Sequence, residues 1–130
     1  MTAPTGSDQI VVDSSGWLEF FTADTKAELF DPYLHGADTS ILVPAIVLCE
    51  VRKILLLRQT KLAADYFVSE ALRHTVVPIT QEIALSAAAI SIQYKLAMAD
   101  ALVYSTAERF GARLVTSDTG FRDLPGVILL

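Results

Sequence analysis

The chain of 130 residues contains a single cysteine, Cys49. A lone cysteine closes no internal disulfide, which suits a reducing compartment such as the cytoplasm. A catalytic thiol would need a lowered pKa and a histidine beside it, yet the two histidines, His35 and His74, sit in no recognisable motif. Within the apolar run Val47-Leu48-Cys49 the thiol reads as a packing residue. Long apolar runs are missing too. The longest stretch without charge, Ile83 to Tyr94, is well short of the ~20 residues that span a bilayer, so no membrane partner is expected. Met1 to Ser7 lacks the basic and apolar regions of a secretion signal. Residues 1–8 read as a flexible lead to one domain over 9–130. Basic residues are also scarce. A net charge of −5 excludes nucleic-acid binding through a large basic face. It leaves room for an acid cluster that holds divalent cations, because such a site makes the metal-free protein look more acidic than its working form.

What the chain has in plenty is apolar side chain, 52% of all residues. That is high for a soluble domain and implies a generous core or a surface covered by a partner. A chain of this length buries roughly two-thirds of its unfolded surface and needs no structural metal. No repeat, low-complexity segment or Pro/Gly/Ser-rich linker interrupts it after Ser7. Short β-branched runs at Gln9–Asp13, Thr39–Val43, Thr75–Pro78, Ala112–Thr116 and Val127–Leu130 read as strands. Helices are expected between them. The first follows Ser14 and Ser15, both possible N-caps, and runs to about Phe21. The second, capped by Thr25, spans Lys26–Leu34. Others cover Pro44–Leu57, Lys61–Arg73, Gln81–Tyr94 (capped by Thr80) and Ala97–Phe110, the last ended by Gly111. Such alternation implies an α/β domain, a parallel β-sheet sandwiched between α-helices. Ligands of such folds bind beyond the carboxyl ends of the strands. Asp13 ends the first strand and Asp118 lies two residues past the fourth, so both belong to that edge.

Two further acids sit oddly. On a helical wheel of the third helix, Glu50 falls among Ile46, Val47, Ile54 and Leu57. An acid in an apolar arc is costly unless paired, hydrogen-bonded or bound to metal, so a buried Glu–Arg pair and a metal ligand are both open. Asp100 lies in the first turn of its helix, where the dipole alone would favour it. Asp118, in Thr116-Ser-Asp-Thr-Gly120, could be only a turn residue, and Asp13 only a helix cap. Taken together, four carboxylates converging on one sheet edge would repel one another unless a cation were present. Oxygen-only donors select Mg2+ or Mn2+ over zinc.

The segments Ile10-Val-Val-Asp-Ser-Ser15, Pro44-Ala-Ile-Val-Leu-Cys-Glu-Val51, Met98-Ala-Asp-Ala-Leu-Val103 and Leu114-Val-Thr-Ser-Asp118 occur in an order and spacing that resemble the PIN-domain nucleases, specifically the VapC-type toxins of bacterial toxin–antitoxin pairs. The resemblance runs from about Ile10 to Leu130. It implies a single PIN-like domain with Asp13, Glu50, Asp100 and Asp118 as the metal site, supported by the hydroxyls of Ser14 and Thr116. It also implies cleavage of RNA with Mg2+ or Mn2+, homodimerisation, and neutralisation by a small antitoxin protein. Gly120 stands where many relatives carry a further acid, Asp123 is offset from that place, and Glu82 has a helix-dipole explanation of its own.

Arg52, Lys53, Arg58, Lys61 and Arg122 are the candidate phosphate contacts. Trp17, Phe20 and Phe21 read as core or dimer packing before base stacking. The alternatives are a PIN-like module that binds RNA or protein with little catalysis, and an unrelated acid-pocket α/β domain. A response-regulator receiver would pair acids near the first strand, and Asp8 is too far from Asp13. A haloacid-dehalogenase-type phosphatase would show Asp-x-Asp where this chain has Asp13-Ser-Ser15.

Overall fold

Three consecutive residues of the first strand, Ile10, Val11 and Val12, have no exposed surface at all. Neighbours along a strand face opposite ways, so only a sheet covered on both faces can hide all three. The computed structural model describes residues 9–36 and 38–130 and contains such a sheet. Its strands are β1 (Gln9–Val12), β2 (Ser40–Pro44), β3 (Thr75–Val77), β4 (Arg113–Thr116) and β5 (Val127–Leu129). Six helices accompany them: α1 (Ser14–Phe21), α2 (Ala27–His35), α3 (Ala45–Arg58), α4 (Lys61–Ala71), α5 (Gln81–Tyr94) and α6 (Met98–Arg109). Every strand and helix expected from the sequence is present, with ends displaced by no more than two residues. The lead expected over residues 1–8 lies outside the described residues. Among those described, no helix is long and apolar enough to cross a membrane.

The strand order is β3-β2-β1-β4-β5 and every pairing is parallel. The chain therefore builds to one side of β1, then returns to build to the other. Such a reversal opens a crevice between the carboxyl ends of the two strands that flank it, here β1 and β4. Helix boundaries follow local chemistry. Thr80 Oγ1 accepts from the Ile83 N–H at 3.2 Å and Thr60 Oγ1 from the Ala63 N–H at 3.0 Å. Gly111 adopts φ +63° just past α6, a conformation open to glycine. Thr25 does not cap α2. Lys26 stands at that N-cap, and the Thr25 N–H donates to Asp24 Oδ1 at 2.8 Å.

Two readings of α3 need correction. Its buried stripe is Val47, Val51 and Leu55, spaced four apart, and Leu57 is 73% exposed. Glu50 thus occupies the flank of the buried face, not its middle. Cys49 is exposed rather than packed, because it falls on the opposite side of the same stripe.

Helix α1 is held very close to the sheet. A Cβ on Gly16 would lie 2.5 Å from Phe30 Cε1 and 2.6 Å from Val12 Cγ1, so this helix can approach β1 and α2 only through a glycine. Gly16→Ala is expected to destabilise the protein by about 1–3 kcal/mol through overpacking, measured as a fall in the urea midpoint with the slope of the transition unchanged. A midpoint equal to that of the wild type would show that α1 shifts freely.

Candidate active site

Pairing of β1 with β4 continues one residue past the end of β1: the Asp13 N–H donates to the Val115 carbonyl at 2.9 Å. That bond sets the Asp13 side chain beside Thr116, the last residue of β4. Thr116 Oγ1 donates to Asp13 Oδ2 at 2.9 Å, and Ser15 Oγ donates to the same oxygen at 3.2 Å. Asp13 is only 4% exposed. Burial raises its pKa above the ordinary carboxylate value. Hydrogen bonds from Thr116, the Ser14 backbone and Ser15 pull the other way, and Glu50 adds a smaller upward push.

Thr116 also ties down the loop beyond it. Its oxygen accepts from the Asp118 N–H at 3.0 Å, while Ser15 Oγ accepts from the Ser117 N–H at 3.2 Å. Ser15 and Thr116 are themselves 3.3 Å apart. The two hydroxyls therefore bridge the start of α1 and the end of β4, locking together the loops that carry Asp13 and Asp118. The sequence singled out Thr116, but gave Ser15 only a capping role. Its bond to Asp13 is local, but its other partners, Thr116 and Ser117, lie 101 and 102 residues away, and nothing local marks Ser15 for them. Asp118 does serve as a turn residue: its Oδ1 accepts from the Gly120 N–H at 2.8 Å and caps the short 3-10 turn Thr119–Phe121. Asp13 occupies the N-cap of α1 but makes no capping bond with its side chain.

Glu50 reaches toward the same edge from α3. Ser14 Oγ donates to Glu50 Oε1 at 2.7 Å. The buried Glu–Arg pair that the sequence left open is not formed among the described residues, since Arg52 binds Asp65 instead, at 3.0 Å. Asp100 sits in the first turn of α6. Its pKa is pushed up to about 6, first by burial and then by the charges of Asp13, Asp118 and Glu50 in turn. All three of the other predicted acids thus act on Asp100. Trp17, by contrast, is 3% exposed and packs edge-on against Phe67, a core role.

Among the described residues no three acidic, histidine or cysteine side chains already form a metal cage. Mutual repulsion opposes such closure without a cation. The donor chemistry nevertheless fits a hard divalent ion. All four groups are carboxylates, Asp13 is buried and held by two hydroxyls, and both Asp13 and Asp100 carry upward pKa shifts that a nearby cation would oppose.

Comparison with known proteins is consistent with this arrangement. The PIN domain family model matches residues 10–127. In structure, the chain is similar to a toxin–antitoxin complex from Klebsiella pneumoniae, with a TM-score of 0.76, 22% identity and coverage of 92% of this chain and 95% of that one. It is also similar to VapC20 of Mycobacterium tuberculosis, described as a sarcin–ricin loop cleaving toxin, with a TM-score of 0.74, 18% identity and coverage of 86% and 92%. A third match is VapBC2 from Rickettsia felis, bound to a DNA fragment from its promoter, with a TM-score of 0.71, 16% identity and coverage of 94% and 97%. Comparison with curated proteins gives no match.

The raised Asp100 pKa has a thermodynamic signature. In the folded, metal-free protein this carboxyl keeps its proton up to about pH 6, whereas the unfolded chain releases it near the ordinary 3.8. Within that window the folded state binds more protons, so stability falls as pH rises. The fall attributable to Asp100 is expected to be about 1–2 kcal/mol after allowance for solvent screening. It is read as the difference between wild type and Asp100→Asn in urea titrations at several pH values. Added Mn2+ should restore the loss at pH near 8 and do little at pH near 4. A difference that does not vary with pH would mean that the other acids do not act on Asp100.

Proposed function

The chain belongs to the PIN domain family, and on that premise we propose that it is a metal-dependent endoribonuclease, the toxin of a toxin–antitoxin pair. The observation that carries the reading is the electrostatic coupling of Asp100 to Asp13, Asp118 and Glu50. Carboxylates are gathered at this cost where a cation is to be held. Asp13, Asp100 and Asp118 would hold Mg2+ or Mn2+, with Glu50 beside them for a second ion or a water. When bound, such an ion acidifies water and neutralises charge developing on the phosphoryl oxygens.

The chain's own groups prepare that chemistry. Thr116 and Ser15 fix the Asp13 carboxylate by donating to one of its oxygens. Ser14 orients Glu50 from the neighbouring residue. Near neutral pH Asp100 has released its proton, and below about pH 6 a proton competes for the same oxygens. Two of the similar structures are toxin–antitoxin assemblies, which supports an antitoxin as the protein partner here. A homodimer is supported by α5. Its surface exposes Leu85 at 67% and Ile92 at 82%, and no charge falls between Ile83 and Tyr94.

The direct test uses wild type and Asp100→Asn, purified without partner and incubated with total RNA and transfer RNA in Mg2+, Mn2+ or EDTA. Wild type should cleave with either metal and not in EDTA, and Asp100→Asn should lose at least about 100-fold in rate. If wild type neither cleaves RNA nor binds Mn2+, the catalytic reading falls and a binding module replaces it. Ile92→Glu should halve the mass seen by sedimentation equilibrium while leaving the thermal midpoint nearly unchanged. A wild type that is already monomeric at micromolar concentration would remove the dimer.

A further inference from the structure

An RNA strand entering an acidic site needs a cation to meet its phosphates. Of the five basic residues open to that task, two are already engaged. Asp65 on α4 takes Arg52 Nη1 at 3.0 Å and Lys61 Nζ at 2.7 Å, so the two cations share one carboxylate. Lys53 and Arg122 are exposed, and neither lines the groove described next. Arg58 differs. It lines an open groove of about 320 Å3 that begins at Ser15 and runs between α1 and the last turn of α3. Ser15 is also the residue that donates to Asp13, so one end of the groove is lined by a residue that touches one of the four acids.

The chemistry along the groove changes from end to end. Its middle is apolar, formed by Leu18, Ile54 and Leu55. Its two acids are occupied elsewhere: Glu19 Oε2 accepts from the Lys26 N–H at 3.2 Å and Asp24 Oδ1 from the Thr25 N–H at 2.8 Å. Arg58 is the single cation lining it and has no ion pair or hydrogen bond among the described residues. A hydroxyl end beside the carboxylates, an apolar floor and an unpaired guanidinium match a nucleotide's reacting phosphate, its base or ribose, and a further phosphate.

We propose that Arg58 binds a phosphate of the RNA strand where it runs away from the acid cluster along the α1–α3 groove. The proposal rests on the ribonuclease reading above. Eight residues of helix separate Glu50 from Arg58, about 12 Å along the axis. Arg58 therefore acts on a phosphate other than the one being cut, and contributes to binding rather than to bond breaking.

The test compares wild type, Arg58→Ala, Arg58→Lys and Lys53→Ala. Cleavage of a mixed-sequence single-stranded oligoribonucleotide is measured with Mn2+ over a range of salt. Binding of the same labelled oligonucleotide is followed by anisotropy in the Asp100→Asn background, where cleavage is abolished. Arg58→Ala should raise KM about tenfold at low salt with kcat within about twofold, and should flatten the plot of log affinity against log salt by about 0.7. Arg58→Lys should keep the slope, and Lys53→Ala should match wild type. An unchanged slope and affinity in Arg58→Ala would overturn the contact and leave the groove to a protein segment. A loss confined to kcat would overturn it as well, since a remote phosphate clamp does not move that parameter alone. A wild type that neither cleaves nor binds RNA would sink the ribonuclease reading itself, a result distinct from failure of Arg58 alone.

Discussion

Everything at the ligand edge of this protein follows from the difficulty of keeping a carboxylate under cover. Asp13 is almost wholly buried, and an ionised group removed from water must find replacements for its lost hydration. It finds them in the hydroxyls of Thr116 and Ser15 and in the Ser14 backbone. The Thr116 hydroxyl can be supplied only if β1 lies beside β4, which is where the sheet reverses its direction of growth. The requirement reaches further, to α1. Its first turn carries Ser14 and Ser15, and it can deliver them only by lying close against Val12 and Phe30 at a residue without a side chain. A glycine, a strand order and two hydroxyls are thus parts of one solution to a solvation problem.

The crowding of like charges adds a second constraint. Asp100 resists ionisation first because it is partly buried and then because three other acids act on it, so the metal-free fold carries an electrostatic cost near neutral pH. A protein selected for stability alone would place an amide or an apolar side chain there. Perturbed titration of this kind is common at functional sites, which is how it bears on the proposed metal site.

Much of this was legible in the sequence, because the relevant signals are local. Strands announce themselves as short β-branched runs, and helices by their caps and glycine stops, so Asp13 and Asp118 could be placed at the carboxyl edge from position alone, whereas position left Asp100 with a helix-dipole explanation. The interior of α3 was harder to read. Its helix is apolar on several sides, so a wheel does not distinguish the stripe Val47–Val51–Leu55 from its neighbours; Leu57 was placed inside and lies outside, and Cys49 was read as packed and is exposed. The bonds of Ser15 to Thr116 and Ser117 and the pairing of Arg52 with Asp65 were invisible for another reason. Each depends on which elements touch, and no spacing along the chain encodes that contact.

The parallel sheet also determines when, during synthesis, the acid edge can be completed. Asp13 leaves the ribosome early, yet its partner Thr116 lies 103 residues later, and Asp118 arrives after that. A growing chain that has folded β1, β2 and β3 still has no β4 to complete the edge. A partly synthesised copy without β4 therefore lacks the completed edge, and the carboxylates meet only once segments about a hundred residues apart have been joined.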